Sequence, residues 1–210
     1  MFIERLSKKY KANEPIFTDD IIELFPDYSR AQVFRYIKKA KERKEIVQYA
    51  FGIYYIPNIT FLGELSTISA DDVIIKRYLK NKNEVFGVYS GIKLLNNFSI
   101  TTQMAAVIEI VSNNETMRCR EININNRKFI LRKSRLKINA NNFAAYTVMQ
   151  LFSDFANSDE LNESARKYLL EYMKEYNITS KQLFDMANSF PARTTKNLLR
   201  SGIINEIAHW

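Results

Sequence analysis

The sequence predicts an α+β protein in two parts, residues 1–58 and 59–210. Three observations carry this. Apolar residues recur at helical spacing from Phe2 to Lys44 and again from about residue 143. Runs rich in β-branched and aromatic residues lie between Ile46 and Ile56 and between about residues 104 and 132. Gly and Pro number only 5 and 4, which leaves no long flexible linker, and a hydrophobic fraction of 46% suits a packed core.

Phe2, Ile3, Leu6 and Tyr10 form the first helical pattern, and Ala12 to Pro15 break it. Thr18 reads as the N-cap of a second, short helix, with Asp19 and Asp20 at its positive end, and that helix ends by Pro26. Ser29 caps a third helix that runs to about Lys44. On a helical wheel Val33, Ile37, Ala40, Tyr36 and Phe34 gather on a core side, and Gln32, Arg35, Lys38, Lys39, Glu42 and Arg43 on a cationic side. Ile46 to Ala50 and Ile53 to Ile56 read as a hairpin turning at Gly52. Helix, helix, turn, basic helix and hairpin, in that order, describe a winged helix-turn-helix.

After a connection over 58–65, a helix is expected from Ser69 or Ala70 to Leu79, then a polar turn over Lys80 to Glu84. Phe86 to Tyr89 is a short apolar stretch, and Ser90 to Leu95 one or two helical turns. Candidate strands are Met104 to Ser112, Met117 to Asn125 and Lys128 to Arg132, with Asn125-Asn126 as a hairpin turn. The last third reads as helices over Phe143 to Phe155, Glu160 to Tyr176, Ser180 to Ser189 and Pro191 to Arg200, within a helical stretch of about 143–208. The second part is thus a mixed α/β domain ending in a helical bundle.

Lys plus Arg number 31 against 23 Asp plus Glu, a net +8 that favours a polyanionic partner such as nucleic acid or an anionic membrane surface. The net charge is +3 over residues 1–60, +6 over 61–142 and −1 over 143–210. No stretch approaches the ~20 apolar residues of a membrane span, and the charged N-terminus is unlike a signal peptide. The single cysteine, Cys119, suits a reducing compartment. A cytoplasmic, non-membrane protein is expected. Cys119 lies in a strand-like run far in sequence from the one histidine, His209, so a structural thiol is expected and a Cys/His metal site is excluded by count.

Neither a cofactor nor a catalytic residue is implied. No Walker, Rossmann, nucleophile-elbow or zincin motif occurs. Asp19-Asp20 and Asp71-Asp72 read as helix N-terminal charges. Pro26-Asp27 with Glu42-Arg43-Lys44 matches the P-D…E-x-K pattern of metal-dependent nucleases. That chemistry needs Glu and Lys on one face of a strand, whereas on a helix they point about 200° apart. The chain is not expected to be an enzyme.

The basic helix suits a B-DNA major groove. Ser29, Arg30, Ala31, Gln32 and Arg35, near its start, are the candidates for base edges, since Arg pairs with guanine, Gln with adenine and Ala with the thymine methyl. Lys38, Lys39 and Arg43 suit phosphates. Gln48, Tyr49 and Phe51 of the hairpin would lie against backbone or minor groove. Seven basic against two acidic residues from Arg30 to Glu45 favour DNA over the alternative of a solvated face on a protein-binding module. Arg118, Arg120, Arg132, Lys133 and Arg135 are candidates for a second basic surface, with solvated strand edges as the favoured reading.

Phe51-Gly-Ile-Tyr-Tyr-Ile-Pro57, Gly87-Val-Tyr-Ser-Gly91, Leu94-Leu-Asn96, Thr101-Thr-Gln103, Ile108-Glu-Ile-Val-Ser-Asn113 and Phe190-Pro-Ala-Arg-Thr occur in that order. In these stretches the chain resembles the AbiEi-type antitoxins of bacterial abortive-infection (type IV) toxin-antitoxin systems, a winged-helix family. The resemblance implies an autorepressor that binds inverted repeats in double-stranded DNA of its own promoter, as a monomer when free and two copies on an operator. It further implies an antitoxin role against a nucleotidyltransferase-like toxin in phage defence, without a stable complex. No residue is assigned to that role. The alternative is a winged-helix transcription regulator whose C-terminal domain senses a ligand or oligomerises.

Overall fold

A computed structural model of the chain describes residues 2–82, 84–155 and 161–207. Glu160, expected to start a helix, and His209 lie outside the described residues. The chain has an α+β architecture and divides into two compact units, Met1–Lys76 and Arg77–Trp210.

The first unit contains α1 (Phe2–Lys9), β1 (Ile16–Phe17), α2 (Thr18–Leu24), α3 (Arg30–Glu42), β2 (Val47–Ala50) and β3 (Ile53–Tyr55). β1 was not foreseen. It is too short to show a period, and it exists because β3 offers it a partner: Ile16 pairs with Tyr54 and Phe17 with Ile53, giving an antiparallel sheet in the order β1-β3-β2. Leu6, Ile16, Ile21, Val33, Ile37 and Ile46 converge in one core.

Two local expectations are corrected. Thr18 does not cap α2; it is the helix's first residue, and its N–H and hydroxyl both donate to Gly52 O, at 3.0 and 3.2 Å. Phe17 holds the N-cap position, and the Asp20 carboxylate, at N3, accepts from its N–H at 3.2 Å. In α3 only Val33, Ile37 and Ala40 are buried. Phe34 and Tyr36, placed on the core side by the wheel, are 43% and 36% exposed, because the core touches a narrow i, i+4, i+7 stripe rather than half the cylinder.

The division after Lys76 gives residues 59–76 to the first unit. Tyr55 OH donates to Ser66 O at 2.9 Å, and the Ser66 hydroxyl donates to Asn13 Oδ1 at 2.5 Å. The Lys76 ammonium donates to Glu14 Oε1 at 2.7 Å and Pro15 O at 2.6 Å. The helix expected from Ala70 to Leu79 forms as α4 (Ala70–Ile74), capped reciprocally by Ser69 and Asp72, and continues as a π-helical turn, Ile75–Leu79.

The second unit begins with a small hairpin, β4 (Lys80–Asn81) with β5 (Glu84–Val85). It continues through β6 (Gly87–Ser90), α5 (Gly91–Asn97), β7 (Ile108–Ser112), β8 (Arg120–Ile124) and β9 (Arg127–Lys133). The sheet order is β6-β7-β9-β8, with β7 and β9 parallel and the outer pairs antiparallel. Asn125 and Asn126, at φ 44° and 65°, make the β8–β9 turn expected from the sequence. Two strands are shorter than expected. Met104 is 94% exposed and lies outside β7, and residues 117–119 form a bend before β8. Arg118 and Arg120 therefore do not share a strand face, and Cys119, expected to be a structural thiol, is exposed.

α6 (Phe143–Asp154) buries nine of its twelve residues and is the hub of this unit. Around it pack α5, α8 (Ser180–Ala187), α9 (Ala192–Arg200) and the sheet strand β6, while α7 (Glu163–Glu175) and α10 (Ile203–Ile207) complete the helical layer. At the C-terminal end of α6 the Asp154 carboxylate accepts from Gly91 N–H at 2.7 Å, Ser90 Oγ at 3.0 Å and Gln150 Nε2 at 2.8 Å. Among the described residues no helix is long and apolar enough to cross a membrane.

Candidate nucleic-acid interface

α3 is thirteen residues long, about 20 Å of helix. Its start is fixed by a capping box: Gln32 N–H donates to Ser29 Oγ at 3.3 Å, and Ser29 N–H donates to Gln32 Oε1 at 2.8 Å. Ser29 and Gln32, read from the sequence as base-edge candidates, thus also set the helix entry. The Gln32 amide nitrogen has no part in the box. Lys44 ends the helix in the left-handed region at φ 57°. Lys44 N–H donates to Lys41 O and Glu45 N–H to Ala40 O, each at 3.0 Å, a Schellman closure.

Between these ends Arg30, Ala31, Gln32, Phe34, Arg35, Lys38, Lys39, Lys41 and Arg43 are all exposed. Arg30 stacks its guanidinium over the Phe34 ring at 5.8 Å. Among the described residues, none of Arg35, Lys38, Lys39 and Arg43 forms an ion pair. Self-repulsion of four like charges is tolerable in water, and each would gain from a phosphate.

Tyr36 has a structural use that the wheel did not reveal. Its ring lies 5.6 Å from Phe2 and 5.3 Å from Tyr28, and Phe25 stacks on Phe2 at 4.7 Å. This aromatic stack braces α1 and the α2–α3 turn against α3. Arg5 covers the Phe25 ring at 5.0 Å and pairs with Asp27 at 3.8 Å, so Asp27 of the nuclease-like pattern faces an arginine. Among the described residues no cluster of acidic, His or Cys side chains could hold a metal ion.

The hairpin is tied to α3 by a contact that the sequence reading missed: the Lys41 ammonium donates to Gln48 Oε1, and Gln48 Nε2 donates to Ala50 O at 3.3 Å. Gln48 is thereby positioned by protein groups. Tyr49 sits where the β2–β3 register shifts and is half-buried. Phe51, at the tip, is 98% exposed. Lys41 was missed, and Thr18 was read as a cap rather than as a tie to the hairpin, because their partners, Gln48 and Gly52, are on other elements.

The candidate second basic surface is placed differently. Arg120 pairs with buried Glu115 at 2.8 Å, Arg132 with Glu109 at 2.9 Å, and Lys128 with Glu121 at 2.7 Å. Arg135 lies over the Phe190 ring at 5.2 Å. Arg118 and Lys133 are exposed, on different segments. The structure brings three of this segment's cations onto carboxylates and, among the described residues, leaves the cations of α3 without them.

No curated protein matches the sequence. The family of unknown function DUF6088 matches residues 3–180, most of both units, and the chain belongs to that family.

Proposed function

We propose that the first unit is a winged helix-turn-helix that reads double-stranded DNA, with α3 in the major groove and the β2–β3 hairpin as the wing. The order α1-β1-α2-α3-β2-β3 and the sheet order β1-β3-β2 support this reading. The observation that carries it is the exposed cation set Arg35, Lys38, Lys39 and Arg43, without an ion pair among the described residues, on and just past a helix that buries only three residues. Arg30, Ala31, Arg35 and the Gln32 amide face base edges, and Lys38, Lys39 and Arg43 hold phosphates.

Following the resemblance to AbiEi-type antitoxins, the chain represses its own operon from inverted repeats and counteracts a nucleotidyltransferase-like toxin. The second reading is a regulator whose C-terminal unit binds a ligand. An open groove of about 650 Å³ between α8 and α9, lined by Phe190, Ala192, Lys196, Leu199 and Arg200, favours it.

The test is a titration against DNA upstream of the chain's own gene at two salt concentrations. Wild type binds tightly and salt-sensitively. Arg35→Ala weakens binding about tenfold or more and relaxes base preference at one position. Lys39→Ala weakens it on every sequence alike and lowers the salt slope by about one. Binding indifferent to sequence and to both substitutions would defeat the reading. Rescue of growth on co-expression with a toxic nucleotidyltransferase-like neighbour separates the antitoxin role from plain regulation.

A further inference from the structure

The hairpin tip has a chemistry unlike the rest of the proposed DNA surface. From Ile46 to Gly63 the chain contains no Asp, Glu, Lys or Arg. Phe51, in the middle of that stretch, exposes 98% of its surface. Nothing in the packing of the first unit needs this ring, and hydration of a bare phenyl is unfavourable.

The tip is also held in place. Gly52 turns it at φ 72°, and its carbonyl accepts from both the N–H and the hydroxyl of Thr18, at 3.0 and 3.2 Å. A Cβ on Gly52 would lie 3.2 Å from that same hydroxyl. The Lys41–Gln48 hydrogen bond fixes β2 to α3 on the other side. An aromatic ring on an anchored turn loses little entropy on docking.

The tip has no cation to draw it to phosphates. Asp19, next in sequence to the Thr18 that holds Gly52, is exposed. A duplex offers such a ring the thymine methyl in the major groove, which α3 occupies in this reading, and in the minor groove the face of a base pair, which becomes accessible when a step is unstacked. The exposed Phe61 and Leu62 ride on a separate turn after β3, closed by the Ile59–Leu65 bridge, and have no such tie to α3.

Resting on the DNA-binding reading above, we propose that Phe51 is an apolar wedge. Its ring enters the minor groove beside the stretch of major groove that α3 occupies and opens one base step. Pyrimidine–purine steps open at least cost, so the operator is selected at that position for deformability, with no side-chain hydrogen bond to the bases.

The test places 2-aminopurine at successive positions of a duplex from the chain's own promoter and adds the full chain, as wild type, Phe51→Ala and Phe51→Leu. Wild type is expected to raise the fluorescence several-fold at one step in each half-site. Phe51→Ala abolishes the rise and weakens binding about tenfold, while Phe51→Leu, still a wedge, keeps most of both. Replacing the pyrimidine–purine step at that position weakens wild type and leaves Phe51→Ala unaffected. An unchanged melting temperature shows that the variants are folded. Sequence-selective binding without a fluorescence rise, or a rise that survives Phe51→Ala, overturns the wedge and spares the DNA reading. Absence of any DNA binding by wild type overturns both.

Discussion

Asp154 illustrates how a single half-buried carboxyl joins parts of the second unit that are distant in sequence. Burial pushes its pKa above the ordinary 3.8, against the opposing pull of the Gly91, Ser90 and Gln150 hydrogen bonds, and nearby Glu109 adds to the rise. The sign of the linkage follows. The folded state holds this proton to higher pH than the unfolded state, so this group's contribution to stability is most favourable below 3.8 and declines as pH rises through the folded pKa. Asp154→Asn removes the half-buried charge. Urea midpoints measured from pH 4 to 7 should show the variant gaining on wild type as pH rises; two parallel curves would mean that Asp154 carries no proton linkage. Nothing in the sequence marks Asp154 for this role, since Ser90 and Gly91 are more than sixty positions away.

α3 shows how little of a helix its core needs. Val33, Ile37 and Ala40 are its only buried residues, so Ile37→Ala should cost about 3 kcal/mol. Phe34→Ala, at a position 43% exposed, should cost a small fraction of that. Chemical denaturation of the two variants checks the contrast, and equal losses would restore Phe34 to the core. The helix itself was legible in the sequence: Ser29 with Gln32 three residues on is a capping signature, and the Val33, Ile37, Ala40 spacing gives the buried stripe. The width of the stripe was not legible. A wheel gives only the angle of each residue, and Phe34 and Tyr36 flank the stripe on either side, whereas the aromatic stack with Phe2 and Tyr28 holds Tyr36 at the surface.

Across the whole molecule, basic residues are abundant in both units, yet their surroundings differ. Among the described residues the α3 cations lack carboxylate partners, while Arg120, Lys128 and Arg132 have them. The Lys128 and Arg132 pairs are half-exposed and contribute little to stability, whereas Arg120 meets a buried carboxylate; each of the three pairs removes a charge from any footprint. Neutralising Arg120, Lys128 and Arg132 together is therefore expected to leave the salt slope of DNA binding unchanged, within about half a unit. A drop of two or three units would return this segment to the interface. Arg132→Ala in that triple leaves Glu109 without its partner, so the measurement belongs beside a melting curve that confirms folding.

The sequence by itself determined the α+β class, the helices of the first unit, the β2–β3 hairpin, the Asn125-Asn126 turn and the cationic face of α3. Each of these depends on residues within one or two helical turns or one hairpin, where spacing maps directly onto geometry. Only the tertiary structure decided the pairing of β1 with β3, the parallel β7–β9 register and the placement of 59–76 with the first unit. It also decided which arginines meet a carboxylate. A two-residue strand has no period, and a parallel pair has no turn to announce it. An ion pair such as Glu109 with Arg132 forms because adjacent strands bring the two side chains together, a proximity that no local pattern encodes.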